Sequence, residues 1–472
     1  MRQTSKLLFT LTDGSGSLHR RLYRRMRSLI LDGSWPAGTR LPSSRSLAQE
    51  LGLSRNTALH AIDLLIADGW ATARRGSAVF VSSAVPEPLP HLGNLRSGRG
   101  VPPDPVPFEI GRQTAEFFPL QRWNRLQAEI WAETGSTMLY GTETGDWPAL
   151  PQALAIHVGE TRGLAADPEE VVVVASTQAA IDLVSRLVGK PGDQVWVEDP
   201  GYPAAKQLFR LNGLNPVSVP IDAEGLRVKD GVRKAPGARI AYVTAACQFP
   251  TGHPMSQRRR AELLSWANEN DGWIIEDDWE WHAHFSSTAA HPPLRSLPGG
   301  DRVIYIQTFN RTIFPGLRVA FLIAPKALAA ELLDLNQRIG GGPNVPVQAT
   351  LARFLDEGLF AAHLRVARAA YAERRGALLA VLQDVPAGFS VSTDRAGLHL
   401  VLGVPERLDD ARIASAFRSA DLPCLAISEF ALENMRERGL ILGFAAYRPE
   451  QIRSAGEMLV EKLHDLAGQS GK

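Results

Sequence analysis

The chain has 472 residues, 44% hydrophobic and 21% charged. That length suits about three domains, and the composition excludes a disordered or fibrous protein. The net charge of +1 hides an asymmetry: residues 1–85 carry 12 Lys+Arg against 5 Asp+Glu, and the remainder 39 against 45. A basic module on a mildly acidic body predicts a polyanionic partner for the N-terminal part. Two cysteines, Cys247 and Cys424, lack ligand-like spacing, which argues against a zinc site or a disulfide framework. The apolar run at 7–11 is too short for a signal peptide. No segment reaches the length of a membrane span. The expected compartment is the cytoplasm, with no membrane partner.

Leu18, Leu22, Met26, Leu29 and Ile30 recur at helical spacing, and Gly33 ends that helix. Ser43 and Ser44 are placed to cap a second helix over 45–51, which Gly52 breaks. Ser54 is the N-cap of a third over 55–68, with Leu59, Ile62, Leu65 and Ile66 on its apolar face. Helix, glycine turn and capped helix is the helix-turn-helix layout, whose second helix enters the major groove. Residues 70–81 then read as a hairpin with a basic tip, a wing. Ser44 and Thr57 suit phosphates through hydroxyls and helix-end N–H groups. Arg55 and Asn56 suit base edges, because Arg pairs bidentately with guanine and Asn with adenine. Arg45 is expected at DNA as well. Arg74 and Arg75 are expected at phosphates or the minor groove. The phrase Leu41-Pro42-Ser43-Ser44-Arg45-Ser46-Leu47-Ala48, followed by Leu51-Gly52-Leu53-Ser54-Arg55-Asn56-Thr57, resembles the winged-helix domain of GntR-type regulators. The first domain is therefore 1–85.

Residues 86–107 hold seven prolines. Such a stretch forms neither a ladder nor a long helix, and proline keeps it extended. It reads as a linker long enough to carry the DNA-binding module to a neighbouring subunit.

Beyond it, short buried strands at 171–175, 195–198, 216–220, 240–244, 273–277, 303–308 and 319–324 alternate with helical patterns at 178–189, 203–212 and 257–270. This predicts a largely parallel sheet covered on both faces. The pattern changes near 355, with a long amphipathic stretch over 359–383. Strands follow near 389–391, 397–401 and 440–444, with helices around 409–420 and 449–467. A large domain over 108–355 and a small α+β domain over 356–472 are expected. Ligands of such sheets sit at the carboxyl ends of the strands. Asp199-Pro200-Gly201-Tyr202, Phe249-Pro250-Thr251-Gly252, Glu276-Asp277-Asp278-Trp279 and the stretch 308–318 all fall there.

These segments resemble fold-type-I aminotransferases across nearly all of 108–472. The stretch Thr308-Phe309-Asn310-Arg311-Thr312-Ile313-Phe314-Pro315-Gly316-Leu317-Arg318 is similar to the cofactor-lysine segment of MocR-type regulators. The resemblance implies a multidomain fold: an N-terminal winged helix-turn-helix, then an α/β fold-type-I PLP-dependent aminotransferase-like domain with a smaller C-terminal α+β subdomain. It also implies a site for pyridoxal phosphate (PLP). The loop with Ser176, Thr177 and Gln178 would hold the phosphate at a helix N-terminus. Tyr202 would stack on the pyridine ring, and Asp277 would pair with its nitrogen. Trp279 stands where the family has a tyrosine that binds the phenolic oxygen, and offers one indole donor. Arg318 would contact the phosphate.

Arg311 stands at the position of the Schiff-base lysine. A Schiff base needs a neutral amine, whereas a guanidinium stays protonated. Transaminase activity is therefore not expected, and PLP, if bound, would be held non-covalently. Arginine offers instead a planar fork for carboxylate or phosphate. Three readings of the pocket stay open. It holds PLP or a PLP–amino-acid adduct without a covalent link; or it holds another anion clamped by Arg311; or it is a ligand-free dimerisation scaffold with Arg311 paired to Asp277 or Asp278. Lys206 reads as a solvated side chain rather than a substitute for the lysine. Arg436 and Arg438 read as surface residues, and His282 and His284 as a pair without a metal.

The expected function is a DNA-binding transcriptional regulator of the MocR subfamily. Its partners would be double-stranded operator DNA, a small effector (an amino acid, vitamer or carboxylate) and a second copy in a head-to-tail homodimer. The rivals are a PLP-dependent aminotransferase with a fused DNA-binding module and a ligand-independent DNA-binding dimer.

Overall fold

The computed structural model describes residues 17–31, 33–74, 78–82, 106–111, 116–140, 146–285, 291–393, 395–432 and 437–469. The chain divides into two compact units, Met1–Pro103 and Asp104–Lys472.

The first unit contains α1 (Leu18–Leu31), α2 (Ser44–Leu51) and α3 (Arg55–Ala67), then the hairpin of β1 (Ala71–Arg74) and β2 (Ala78–Val81). Both short helices start where serines allow. Ser43 Oγ accepts from the Ser46 N–H at 3.1 Å, and Ser54 Oγ from the Thr57 N–H at 3.1 Å, which satisfies backbone donors that the helices leave open. Gly52 ends α2 at φ 64°, a left-handed conformation suited to glycine. The core joins Leu22, Met26 and Leu29 of α1 to Ala58, Ala61 and Leu65 of α3, with Trp35 and Trp70 closing it. Leu59, expected on the apolar face, is 43% exposed. The face of α3 is set by the small side chains Ala58 and Ala61, which let α1 approach closely. Arg40 bridges Phe80 in antiparallel fashion, so the wing gains a short third strand. Arg75 and nearly all of the linker 86–107 lie outside the described residues.

The second unit opens with α4 (Leu120–Thr134), α5 (Ser136–Tyr140) and α6 (Ala149–Arg162). There follow β3 (Val171–Val174), α7 (Thr177–Val188), β4 (Gln194–Asp199), α8 (Pro203–Leu211), β5 (Asn215–Asp222), β6 (Gly225–Leu226), α9 (Val228–Lys234), β7 (Ile240–Val243), α10 (Gln257–Glu269), β8 (Trp273–Asp277), β9 (Val303–Thr308) and β10 (Ala320–Ile323). The strands form one sheet in the order β3-β10-β9-β8-β7-β4-β5-β6. The pairs β4–β5, β4–β7, β7–β8 and β8–β9 are parallel, and β10 runs antiparallel to both β3 and β9. Continuous apolar strands such as Val171–Val174 are buried along their whole length, as a sheet covered on both faces requires.

After α11 (Lys326–Arg338) and α12 (Val345–Asp356), the long α13 (Leu359–Val381) leads into a smaller layer. Its elements are β11 (Ser390–Val391), β12 (His399–Gly403), α14 (Asp410–Arg418), β13 (Leu425–Ala426), β14 (Gly439–Gly443) and α15 (Pro449–Gln469). The four strands pair antiparallel in the order β11-β12-β14-β13. Leu400, Leu402, Leu440 and Leu442 join Leu378, Phe417, Ile452 and Leu459 from the helices in one core.

One contact positions the site. The Gly443 N–H donates to the Phe108 carbonyl at 3.0 Å, docking the segment 106–111 on β14. A Cβ on Gly443 would lie 2.3 Å from the Glu109 carbonyl oxygen, so only glycine admits that approach. Among the described residues, no helix is long and apolar enough to cross a membrane.

Candidate functional site

A cavity of about 210 Å³ opens at the carboxyl ends of the parallel strands. Ser176, Thr177 and Gln178 reach it from the start of α7, after β3. Tyr202 follows β4; Tyr242, Thr244 and Phe249 come from β7 and beyond; Asp277 and Trp279 follow β8. Thr308, Asn310 and Arg311 leave β9, and Pro315 and Arg318 precede β10. All eight residues expected at the effector site, Ser176, Thr177, Gln178, Tyr202, Asp277, Trp279, Arg311 and Arg318, therefore line one cavity.

The strand pleat sorts the acidic run at the end of β8. Successive side chains point to opposite faces, so Glu276 and Asp278 face away from Asp277. Asp278 accepts from Arg162 Nε and from the Tyr305 hydroxyl, both at 2.7 Å. Glu276 accepts from the Leu294 N–H at 2.8 Å, with Arg260 at 4.0 Å. On the cavity face, Asp277 Oδ2 accepts from the Tyr242 hydroxyl at 2.7 Å, and Oδ1 is buried without a partner among the described residues. Burial pushes the Asp277 carboxyl up to about 7; the Tyr242 hydroxyl and Arg311 oppose the shift, and Asp278 adds to it. Burial likewise raises Glu280 to about 7, against Arg311 and the Leu398 N–H.

The phosphate-type wall is a helix start. Ser176 is the N-cap of α7, its Oγ accepting from the Ala179 N–H at 3.1 Å. The hydroxyl hydrogen of Ser176 and the side chain of Thr177 remain uncommitted among the described residues. Arg318 is exposed, at φ 58° and ψ 46°. Tyr202 is half-buried; its hydroxyl accepts from Gln178 Nε2 at 2.6 Å, and burial raises its pKa. Its ring meets Phe249 edge-on at 5.9 Å, and Phe249 meets Trp279 at 5.4 Å.

Three expectations are corrected, those for Trp279, Lys206 and Arg438. The indole donor of Trp279 is already used: Nε1 donates to the Cys247 carbonyl at 2.8 Å, because the ring is buried beside Cys247 and Ala396. Lys206 is buried rather than solvated. It lies on the inward face of α8, with Nζ 3.4 Å from Asp199 Oδ1 and 3.1 Å from the Phe430 carbonyl, and does not line the cavity. Burial lowers its pKa, with Asp199 opposing. Of the three open readings of the pocket, the one that pairs Arg311 with Asp277 or Asp278 finds no such ion pair among the described residues. The Arg311 guanidinium stands over the Trp279 ring, 5.4 Å from the centroid, and makes no ion pair with a described residue. Arg438, expected at the surface, is half-buried and donates to the Leu408 carbonyl at 2.8 Å; Arg436 lies outside the described residues. Among the described residues, no group of three or more His, Cys, Asp or Glu could hold a metal. His282 is fully buried, with neither ring nitrogen hydrogen-bonded among the described residues, and burial pulls its pKa down to about 3. Tyr242 was missed by sequence reasoning. Its one signal is register: it pairs with Ile275, two residues before Asp277 on the same face of β8.

On the N-terminal unit, Arg45, Arg55 and Asn56 are exposed, and Ser44 and Thr57 are half-buried, all in the first turns of α2 and α3. The Thr57 hydroxyl lies 2.8 Å from Ser54 Oγ. Arg74 ends β1, and its side chain lies, like Arg75, outside the described part.

Residues 18–81 match the model of bacterial regulatory proteins of the gntR family, and residues 111–456 match aminotransferase class I and II. The chain is 33% identical to the probable rhizopine catabolism regulatory protein MocR of Rhizobium meliloti over 461 residues, which covers 93% of this chain and 92% of that one. It is 32% identical to the HTH-type transcriptional regulator TauR of Rhodobacter capsulatus, over 80% of this chain and 82% of that one. Among solved structures, the multiple substrate aminotransferase of Thermococcus profundus aligns with a TM-score of 0.70 at 27% identity, covering 78% of this chain and 93% of its own.

Proposed function

Since the chain belongs to the MocR-type regulators, a gntR-family module fused to an aminotransferase class I and II body, we propose that it is a transcription regulator whose body senses a small anion. The N-terminal unit binds double-stranded operator DNA, with α3 in the major groove. Arg55 and Asn56 read base edges; Ser44, Arg45, Thr57, Arg74 and Arg75 hold the backbone. The body works as a sensor in a head-to-tail homodimer, and not as a transaminase. Effector binding favours one arrangement of the large and small domains and so changes operator affinity.

The cavity carries the sensing half. A buried carboxylate oxygen without a partner and a guanidinium without an anion face one small cavity. Buried polar atoms need partners, so Asp277 Oδ1 calls for a donor, while the half-buried Arg311 fork offers its hydrogens to an acceptor. The residues fit PLP by parts. The start of α7, with Ser176 and Thr177, and the exposed Arg318 suit a phosphate; Asp277 suits a protonated ring nitrogen; Tyr202 offers an aromatic face, held through Gln178. Trp279, with its donor committed, contributes bulk alone. When bound, PLP supplies an aldehyde that reacts with primary amines. Arg311, standing in the place of the cofactor lysine, offers no such amine, so the fit is non-covalent. A ligand-free scaffold is less well supported, because the pairing of Arg311 with Asp277 or Asp278 that it needs is missing.

The test has two parts. Incubation with PLP followed by borohydride leaves the mass of the protein unchanged, whereas Arg311→Lys acquires a covalent mass gain of one phosphopyridoxyl group. A gain in the unmodified protein would overturn the non-covalent reading. Operator affinity measured with and without PLP and with candidate amino acids tests the sensing step; identical affinity across all of them would favour an architectural DNA-binding dimer.

A further inference from the structure

Arg311 is more than a lost lysine, because its surroundings are built for its guanidinium. The group lies over the Trp279 ring. On its other side stands Gly111, at φ +79°, where an added Cβ would sit 3.2 Å from Nη1 and 3.6 Å from Nη2. Gly111 is brought there by the docking of 106–111 on β14. Arg311 lines both the main cavity and a recess of about 20 Å³ behind it, shared with Glu280 and His399. Nothing described in either space accepts from the fork. Asp278 is bound to Arg162 on the other face; Asp277 Oδ2 accepts from the Tyr242 hydroxyl and Glu280 Oε2 from the Leu398 N–H at 2.8 Å, and neither acid forms an ion pair with the fork among the described residues. His399 lies 2.8 Å from the Pro250 carbonyl through Nε2. A planar fork held between an aromatic face and a bare backbone, with its donors unspent, is the arrangement that binds a carboxylate bidentately. The recess has room for about one water molecule.

We propose that Arg311 and Gly111 form a carboxylate clamp, so the effector carries a carboxylate in addition to the ring and phosphate held at Asp277 and α7. The clamp deepens the effector reading above and rests on it for the ring and phosphate end. Gly111 sets the specificity: it leaves the guanidinium room to meet the carboxylate edge-on.

Calorimetric titration of the full chain tests this with four probes: N-(5′-phosphopyridoxyl)-L-alanine, its carboxamide, pyridoxamine 5′-phosphate and succinate. The acid conjugate is expected to bind about 10- to 100-fold more tightly than the carboxamide, the range of a charge-assisted hydrogen-bond pair. In Arg311→Gln the two conjugates bind alike, and Gly111→Ala weakens the acid selectively. If acid and carboxamide bind the unmodified protein equally while pyridoxamine phosphate also binds, the clamp is wrong and the cofactor-shaped cavity stands. Binding of succinate alone, lost in Arg311→Gln, would keep the clamp and remove the cofactor reading. Failure of all four probes overturns both.

Discussion

The two units handle positive charge in opposite ways. In the N-terminal unit, Arg45 and Arg55 are exposed at helix starts and meet no acid among the described residues. In the body, Arg162 and Arg260 are buried and hydrogen-bonded within the chain. Arg162 binds Asp278, and Arg260 binds the carbonyls of Met255, Pro292 and Ala245. Under the proposed function the first kind gains its interaction energy from a partner outside the chain; the second gains it from inside. Arg311 belongs to the body by position and to the first kind by its unspent donors. An arginine with nothing to bind marks where a ligand is expected; an internally bound arginine marks structure.

The largest expected effect comes from breaking an internal pair. Arg162→Met leaves Asp278 buried with only the Tyr305 hydroxyl, and should cost the body about 3–5 kcal/mol. Denaturant unfolding followed by tryptophan fluorescence measures it; a loss under about 1 kcal/mol would put Arg162 in the same class as the exposed arginines. Next is Arg55→Ala. Operator affinity should fall by about 1–3 kcal/mol at fixed salt, with discrimination relaxed at one base position. The body's melting temperature should not move. A uniform fall across all sequences, with a shallower salt dependence, would make Arg55 a phosphate contact instead.

The smallest expected effect is on pH dependence. Burial holds the Glu280 proton up to about pH 7, against an ordinary value of 4.5. The folded state then binds more protons than the unfolded chain between those limits. The stabilising contribution is full below about 4.5 and is lost as pH rises through 7. Glu280→Gln removes the titrating group while an amide oxygen still accepts from the Leu398 N–H. The decline in body stability across that window should become shallower in thermal melts, and an unchanged slope would reassign it to other buried acids. Glu276, also raised to about 7 by burial, is the first to substitute next.

Much of this architecture was legible in the chain. Serine caps, glycine stops and apolar spacing marked α2 and α3 to within a residue or two. Apolar runs located most strands of the large sheet. The antiparallel insertion of β10 between β3 and β9 was not legible, because a buried strand reads the same in either direction. Nor was the burial of Lys206, whose acceptor carbonyl on Phe430 is 224 residues away.

By itself, the sequence determined which chemical groups stand at the strand ends, and on which face. The pleat alone separates Asp277 from Glu276 and Asp278. Only the tertiary structure decided which of those groups were already spent. The indole of Trp279 is taken by a carbonyl 32 residues away, and Asp278 by an arginine 116 away, while Arg311 is left against Gly111 with its fork open. The reason is physical. Periodicity and capping are set by neighbours along the chain, whereas hydrogen-bond partners and burial are set by segments that meet only once the sheet has closed around them.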